Sequence, residues 1–226
     1  MGNIRRITEL IRNHEQVVCA GVVKSPERES YMLFSEPYSV TLPPVLIVPR
    51  KKLADFKPYM NASGQVMLER LITQSKLALG IPAGRSYNKQ IDDVLARNEK
   101  NPNIAVRPAA QEIMAGLIQM MMRERIDYTI IYPFEVKYVL QSIGAKDDFL
   151  LLPIEGTPKY VTIHVVAPDD EWGRTVIASI NDVIRKHRDD PAFRKNTELW
   201  LDDNSRALFR RYLKEYPLEP PVGQPN

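Results

Sequence analysis

The chain is 226 residues long, 44% apolar and 26% charged, with 31 basic against 28 acidic residues and a formal net charge of +3. That balance fits a folded protein with ample core, and it reads the basic clusters Arg50-Lys51-Lys52 and Arg210-Arg211 as solvated surface. No stretch approaches 18 apolar residues, the single Cys19 excludes an internal disulfide, and no aromatic-plus-basic platform points to nucleic acid.

In chain order, Ile4, Ile7, Leu10 and Ile11 recur at helical spacing and predict a helix over 3–13. Gln16–Val23 reads as a short buried strand, with Cys19 a packing thiol, and a Ser25-Pro26 turn follows it. Arginines interrupt residues 1–12, so they do not read as a signal peptide. A strand is expected over Leu42–Val48, broken at Pro43-Pro44 and ended by Pro49, then a helix over Gly64–Gln74 and a strand over Lys76–Ile81. The stretch GIPAGRSYNKQIDDVLAR reads as strand end, glycine turn and an amphipathic helix from about Ser86.

Strands at Asn103–Arg107 and Asp127–Ile131 alternate with helices at Ala109–Arg123 and Phe134–Ser142. Two further strands, Phe149–Leu152 and Tyr160–Val166, precede helices at Glu171–His187, Pro191–Thr197 and Asn204–Tyr212 and a proline-rich tail. Eighteen prolines against ten glycines, many at segment edges, suit short elements cleanly stopped. The alternation predicts an α/β class with parallel sheets covered by helices.

Enzyme signatures do not emerge. His14, His164 and His187 lie far apart and share no metal-ligand spacing with Cys19. There is no nucleophile elbow, Walker loop or dinucleotide fingerprint. The carboxylate pairs (Asp92-Asp93, Asp147-Asp148, Asp169-Asp170, Asp202-Asp203) are sequence neighbours in loops or near helix starts, where solvation and the helix dipole account for them. No catalytic residue, metal or cofactor is expected.

The stretch CAGVVKSPERESYMLFSEPY carries the one specific pattern. Gly21, the Ser25-Pro26-Glu27-Arg28 turn and Phe34-Ser35-Glu36-Pro37-Tyr38 fall at the spacings of the extracytoplasmic solute-binding proteins of the polar-amino-acid type (family 3), which the chain resembles. LALGIPAGRSY, RERIDYTIIYP and YVTIHVVAPDDEWGRTVIASINDVI resemble later segments of that family, so the likeness covers nearly the whole chain. It implies a two-lobed, type II periplasmic-binding-protein-like fold that closes on a ligand. Lobe one would combine 1–48 with 166–226, lobe two would hold 52–157, and hinge crossings would lie near 45–52 and 157–168. Members of the family normally carry a leader, strand, helix and strand ahead of the point where this chain starts. The resemblance therefore implies an N-terminally truncated first lobe, with a free sheet edge on which a second copy could pair.

By the same resemblance, Arg28 occupies the carboxylate-clamping position, with Gly21 and Ser25 around it. Arg28 would hold an anionic ligand group bidentately, or else form an ion pair with Glu27 or Glu29. Gly84, Arg85 and Ser86 lie where the family closes on the same carboxylate. Ser86 would serve as ligand donor, as N-cap, or as both, and Arg85 adds a second positive charge that hints at a more acidic ligand. The family's hydroxyl is Val23 here and its aspartate is Tyr132, which removes the partners of an ammonium group. Tyr132 would offer a ring face or phenol to the ligand, or pack beneath it, and Glu135 would restore an acid.

The expected function is extracytoplasmic, or periplasmic, capture of a small carboxylate-bearing or amino-acid-like solute for ABC-type uptake or sensing, with a permease or sensor as partner. Two alternatives stand beside it. One is a dehydratase-like enzyme on the same scaffold, with Glu135 or Glu155 as its acid; the other is a truncated remnant without binding.

Overall fold

A computed structural model describes residues 4–108, 110, 112–188 and 190–215. The described chain divides into two compact units. One holds the residues up to Leu42, Lys159–Leu199 and those from Asp203 onward; the other holds Pro43–Pro158 with Trp200–Asp202.

The first unit opens with α1 (Ile4–Arg12), β1 (Cys19–Val23), α2 (Pro26–Glu29), β2 (Met32–Phe34) and β3 (Ser39–Thr41). The second contains β4 (Val45–Pro49), α3 (Leu53–Phe56), α4 (Leu68–Gln74), β5 (Leu79–Pro82), α5 (Lys89–Arg97), β6 (Ile104–Arg107), α6 (Ile113–Met122), β7 (Tyr128–Ile131), α7 (Pro133–Ser142) and β8 (Phe149–Pro153). The chain then returns to the first unit with β9 (Val161–Pro168), α8 (Glu171–His187), α9 (Pro191–Glu198) and α10 (Asp203–Glu215).

In the second unit the sheet order is β6-β5-β7-β4-β8. Residues alternate faces along β4, and both faces are covered. Leu46 and Val48 join Tyr128, Ile130 and Leu152 in a core roofed by α4 and α5; Val45 and Ile47 join Ile131 and Phe149 in a second core under α6 and α7. Leu46, Ile47 and Val48 are wholly buried, each worth about 1.5–3 kcal/mol of transfer free energy.

In the first unit β9 is the common partner: β1 lies along one edge, β2 and β3 along the other, all antiparallel to it. Ile11, Val22, Met32 and Val166 form the core there, while α8 and α10 contribute the buried Ile177, Ile184, Phe209 and Tyr212.

Three sequence expectations need correction. The sheets are not uniformly parallel. Only β5 runs parallel to its neighbours β6 and β7, and β4 is antiparallel to both β7 and β8. The strand at 16–23 is shorter and only Val22 in it is buried, because β1 is an edge strand bonded on one side. Its Cys19 is half-buried, and burial pushes the thiol pKa up.

Val45–Pro49 carries its hydrogen bonds to β7 and β8, and the second compact unit begins at Pro43. The chain passes back to the first unit between Pro158 and Lys159. Of the predicted helices, 109–123 begins at Ile113, with residues 109 and 111 outside the described ones. Residue 3 and the proline-rich tail from 216 also lie outside them. Among the described residues no helix is long and apolar enough to cross a membrane.

Candidate functional site

The Arg28 turn is built from its sequence in four steps. Proline at the first helical position pre-sets φ, and Ser25 in extended backbone (φ −147°, ψ 152°) caps the one-turn helix α2 by accepting the Arg28 N–H at 3.3 Å. Ser30 closes the other end, donating its hydroxyl to the Glu27 carbonyl at 2.6 Å. The Arg28 guanidinium then folds back and donates to the Val23 carbonyl at 2.8 Å. That contact needs only a backbone carbonyl, so valine at position 23 serves as well as any residue.

The two acids beside Arg28 are occupied elsewhere. Glu27 pairs with Arg12 at 2.8 Å, and Glu29 with Lys24 at 2.8 Å. The Arg12 guanidinium in turn sits 4.3 Å from the Tyr31 ring centroid. Among the described residues no carboxylate pairs with Arg28, which is half-buried with one backbone oxygen as its partner. Gly21 stands nearby in the chain, where the β1–β9 register slips between Ala20 and Val22. Its φ of +84° is the left-handed conformation such a bulge requires and a glycine adopts freely. The Tyr38 hydroxyl hydrogen-bonds the Gly21 backbone, and burial raises the phenol's pKa.

The second candidate group lies in the other unit, past the C-terminal ends of the parallel strands β5 and β7. Gly84 turns the chain with φ +69°, exposed. Arg85 follows, and its guanidinium bonds the Glu135 carboxylate at 2.5 Å with both side chains largely buried, 20% and 24% exposed. It also sits 5.3 Å from the Tyr87 ring centroid and 5.5 Å from that of Tyr132. Burial alone would lower the Arg85 pKa; Glu135 and the two phenols hold it above the usual arginine value.

Glu135 has a second duty. As the third residue of α7 its carboxylate accepts the Tyr132 N–H at 3.2 Å, satisfying one backbone donor at the start of the helix. Tyr132 stacks on Phe134 at 5.6 Å and donates its hydroxyl to the Tyr87 carbonyl at 3.0 Å, so it ties the two chain segments together. Ser86 does not start a helix. Asn88 does, accepting the Ile91 N–H at 2.9 Å in extended backbone, while the Ser86 hydroxyl donates to Asp92 at 2.6 Å and Asp92 also accepts the Tyr87 N–H at 2.9 Å. Arg85 and Ser86 border an open hollow of about 370 Å³.

No protein-family model matches the chain, and no curated protein matches it significantly. Solved structures do. One comes from work on glutathione import in Gram-positive bacteria via GshT and the cystine ABC importer TcyBC of Streptococcus mutans: 13% identity over 90% of this chain and 80% of that one, TM-score 0.64. A second is an ancestral arginine-binding protein bound to arginine: 15% identity over 89% and 78%, TM-score 0.62. A third is the probable amino-acid ABC transporter extracellular-binding protein ytmK from Bacillus subtilis: 19% identity over 90% and 78%, TM-score 0.60.

The chain has the α/β, periplasmic-binding-protein fold of these solute-binding proteins.

Within this fold the eight expected site residues form two groups, one in each unit: Gly21, Ser25 and Arg28 in the first, and Gly84, Arg85, Ser86, Tyr132 and Glu135 in the second. Sequence reasoning missed Tyr87, Asn88 and Asp92, which shape the second group. The signal for Asn88 was present, since asparagine one residue before an amphipathic run is an N-cap. It also missed Glu36, whose carboxylate takes Arg185 at 2.5 Å and lies 3.8 Å from Arg188, and whose N–H donates to Asn181 at 2.8 Å. These contacts fasten the Phe34–Tyr38 segment to α8. Glu155 accepts Asn61 at 2.8 Å on an exposed stretch. Among the described residues no three His, Cys, Asp or Glu side chains converge as metal ligands.

Proposed function

We propose that this protein binds a small carboxylate-bearing, amino-acid-like solute outside the cytoplasm and presents it to an ABC-type permease or to a sensor, with no chemistry of its own. One observation carries the reading: Arg28 is a half-buried guanidinium oriented by the Val23 carbonyl, with both neighbouring acids paired to other bases. A planar fork held in place but not neutralised is complementary to a carboxylate, which accepts two parallel N–H bonds. The fold supports the same reading, since structures that share it include an arginine-binding protein and a probable amino-acid transporter component.

Turnover of a carboxylate substrate is the weaker reading. Of its two acid candidates, Glu135 is engaged by Arg85 and by the Tyr132 N–H, and Glu155 is held by Asn61 at the surface.

The test is a thermal-shift screen of the full chain against the proteinogenic amino acids and small organic acids, followed by calorimetry. At least one carboxylate compound is expected to raise the melting temperature, and Arg28→Ala to abolish that shift. An unaltered shift in Arg28→Ala would remove Arg28 from the site. Consumption of the bound compound, followed by mass spectrometry, would replace binding by catalysis.

A further inference from the structure

The outer edge of β1 invites contact with another chain. Among the described residues β1 bonds to β9 alone, and Val18, Ala20 and Gly21 along it are exposed. Such an edge is a template for an added strand unless something blunts it.

The direction of its backbone groups follows from β9. Ser35 donates its N–H to the Val165 carbonyl at 2.8 Å, and Tyr38 donates to the Ile163 carbonyl at 3.2 Å. Val165 and Ile163 therefore face β2 and β3, and the alternate residues Val166 and His164 face β1. Their partners Cys19 and Val22 point inward, while Ala20 and Val23, opposite Val165 and Ile163, turn their N–H and C=O groups outward. The Gly21 bulge sets this direction. One extra residue between Ala20 and Val22 puts Val23 on the outward side, where strict alternation from Cys19 would turn it toward β9.

Both outward carbonyls are taken by side chains. The Arg28 guanidinium donates to Val23 at 2.8 Å, and the Cys19 thiol, a weaker donor, to Ala20 at 3.5 Å. Arg28 thus lays a positive charge on the end of the strand, with the Lys24–Glu29 pair next in the chain. A bulge and basic side chains are devices by which edge strands resist pairing.

We infer that Arg28 guards this edge, closing the outer side of β1 to strand addition by a second copy of the chain. Two β1 strands related by a two-fold axis run antiparallel and offer each other the same Ala20 and Val23 groups, so self-pairing needs no other sequence. Pairing would pull each Arg28 off its carbonyl and bring two like charges together. The guard uses one Nη1 N–H and leaves the other donors of the fork to a carboxylate, so it is compatible with solute binding.

The test is sedimentation velocity of the full chain without solute, with hydrogen exchange of the β1 amides read alongside. The unsubstituted protein is expected to be monomeric, with the Ala20 and Val23 amides exchanging fast. Arg28→Met keeps an aliphatic stem but deletes the donors. It is expected to dimerise at least about tenfold more tightly and to slow exchange at those two amides. Arg28→Ala repeats the measurement should the methionine repack. Adding Val23→Pro, which removes an outward N–H without costing a bond to β9, is expected to return either variant to the monomer. A dimeric unsubstituted protein with protected Ala20 and Val23 amides would show the edge open. Monomeric Arg28→Met and Arg28→Ala would show that Arg28 closes nothing, and a variant dimer with fast exchange at Ala20 and Val23 would place the contact elsewhere. Each of these three results overturns the inference, and none depends on the outcome of the solute screen.

Discussion

The molecule contains two arginines that the sequence placed in the same role, and their surroundings separate them. Arg28 lies at the end of a one-turn helix, tied by a single bond to a carbonyl five residues back. Arg85 is wedged between the neighbouring Tyr87 ring and a carboxylate and ring, Glu135 and Tyr132, from a segment some fifty residues away. A dipole orients a charge and leaves it available, whereas a counter-ion consumes it. On the proposed reading the first arginine serves a ligand, while the second holds two chain segments in register.

The contrast predicts opposite losses on truncation. Arg28→Ala is expected to weaken solute binding by about 30-fold or more, the usual effect of removing one member of a desolvated charge pair. Its unfolding free energy should fall by no more than about 1 kcal/mol, since one hydrogen bond is lost. Arg85→Ala is expected to do the reverse: solute affinity stays within about threefold, while stability drops by about 1–3 kcal/mol because Glu135 is left largely buried without its cation. Calorimetric titration and chemical denaturation of both variants decide the matter. A common pattern for the two arginines would erase the distinction.

A smaller effect is expected at the bulge. Gly21→Val forces a branched side chain into the left-handed region at φ +84°, which costs about 1–2 kcal/mol and straightens β1 ahead of the Arg28 turn. Denaturation midpoints should fall in proportion, with solute affinity declining as well.

The smallest effect concerns pH. His164 is buried, with Nδ1 placed 2.8 Å from the Ser35 carbonyl and Nε2 3.0 Å from the Thr162 hydroxyl. Burial lowers its pKa below the ordinary histidine value. The unfolded chain therefore takes up a proton that the native imidazole resists. Stability from this residue is fully present above the ordinary value of about 6.5 and declines as pH falls through it. Stability curves at pH 7.5 and 5.5 should show that decline in the unsubstituted protein and a shallower one in His164→Gln.

Much of this architecture could be read from the chain itself. Strong periodicity located α5 and α8, and apolar runs located β4, β7 and β8, because long or fully buried elements leave a composition that outweighs local noise. Met32–Phe34 and Ser39–Thr41 escaped, being three residues long and defined by hydrogen bonds to a strand 120 or more residues later. Strand direction was misread for the same reason, since alternation with helices does not reveal that β4 runs against β7. At the candidate site, the turn around Arg28 is local, and its proline and spacing were legible, though the Ser25 cap of the one-turn helix was not read. The pairing of Arg85 with Glu135 was not: no local pattern says that a carboxylate fifty positions away, on another helix, will arrive at that guanidinium. Residue types announced a pair of cations, and only tertiary contact shows that one is already satisfied.

The arrangement of the first sheet has a consequence for how the protein acquires its shape. Strands β1, β2 and β3 each bond to β9 and not to one another, so residues 19–41 have no sheet to join until Val161–Pro168 is present. The second sheet, in contrast, is encoded by the uninterrupted span from β4 to β8. Ribosomal synthesis therefore completes one sheet while the opening residues still wait for their template, and closing so long a loop is slow. Pulse-labelled hydrogen exchange during refolding should record amide protection in β4–β8 before it appears in β1 and β9.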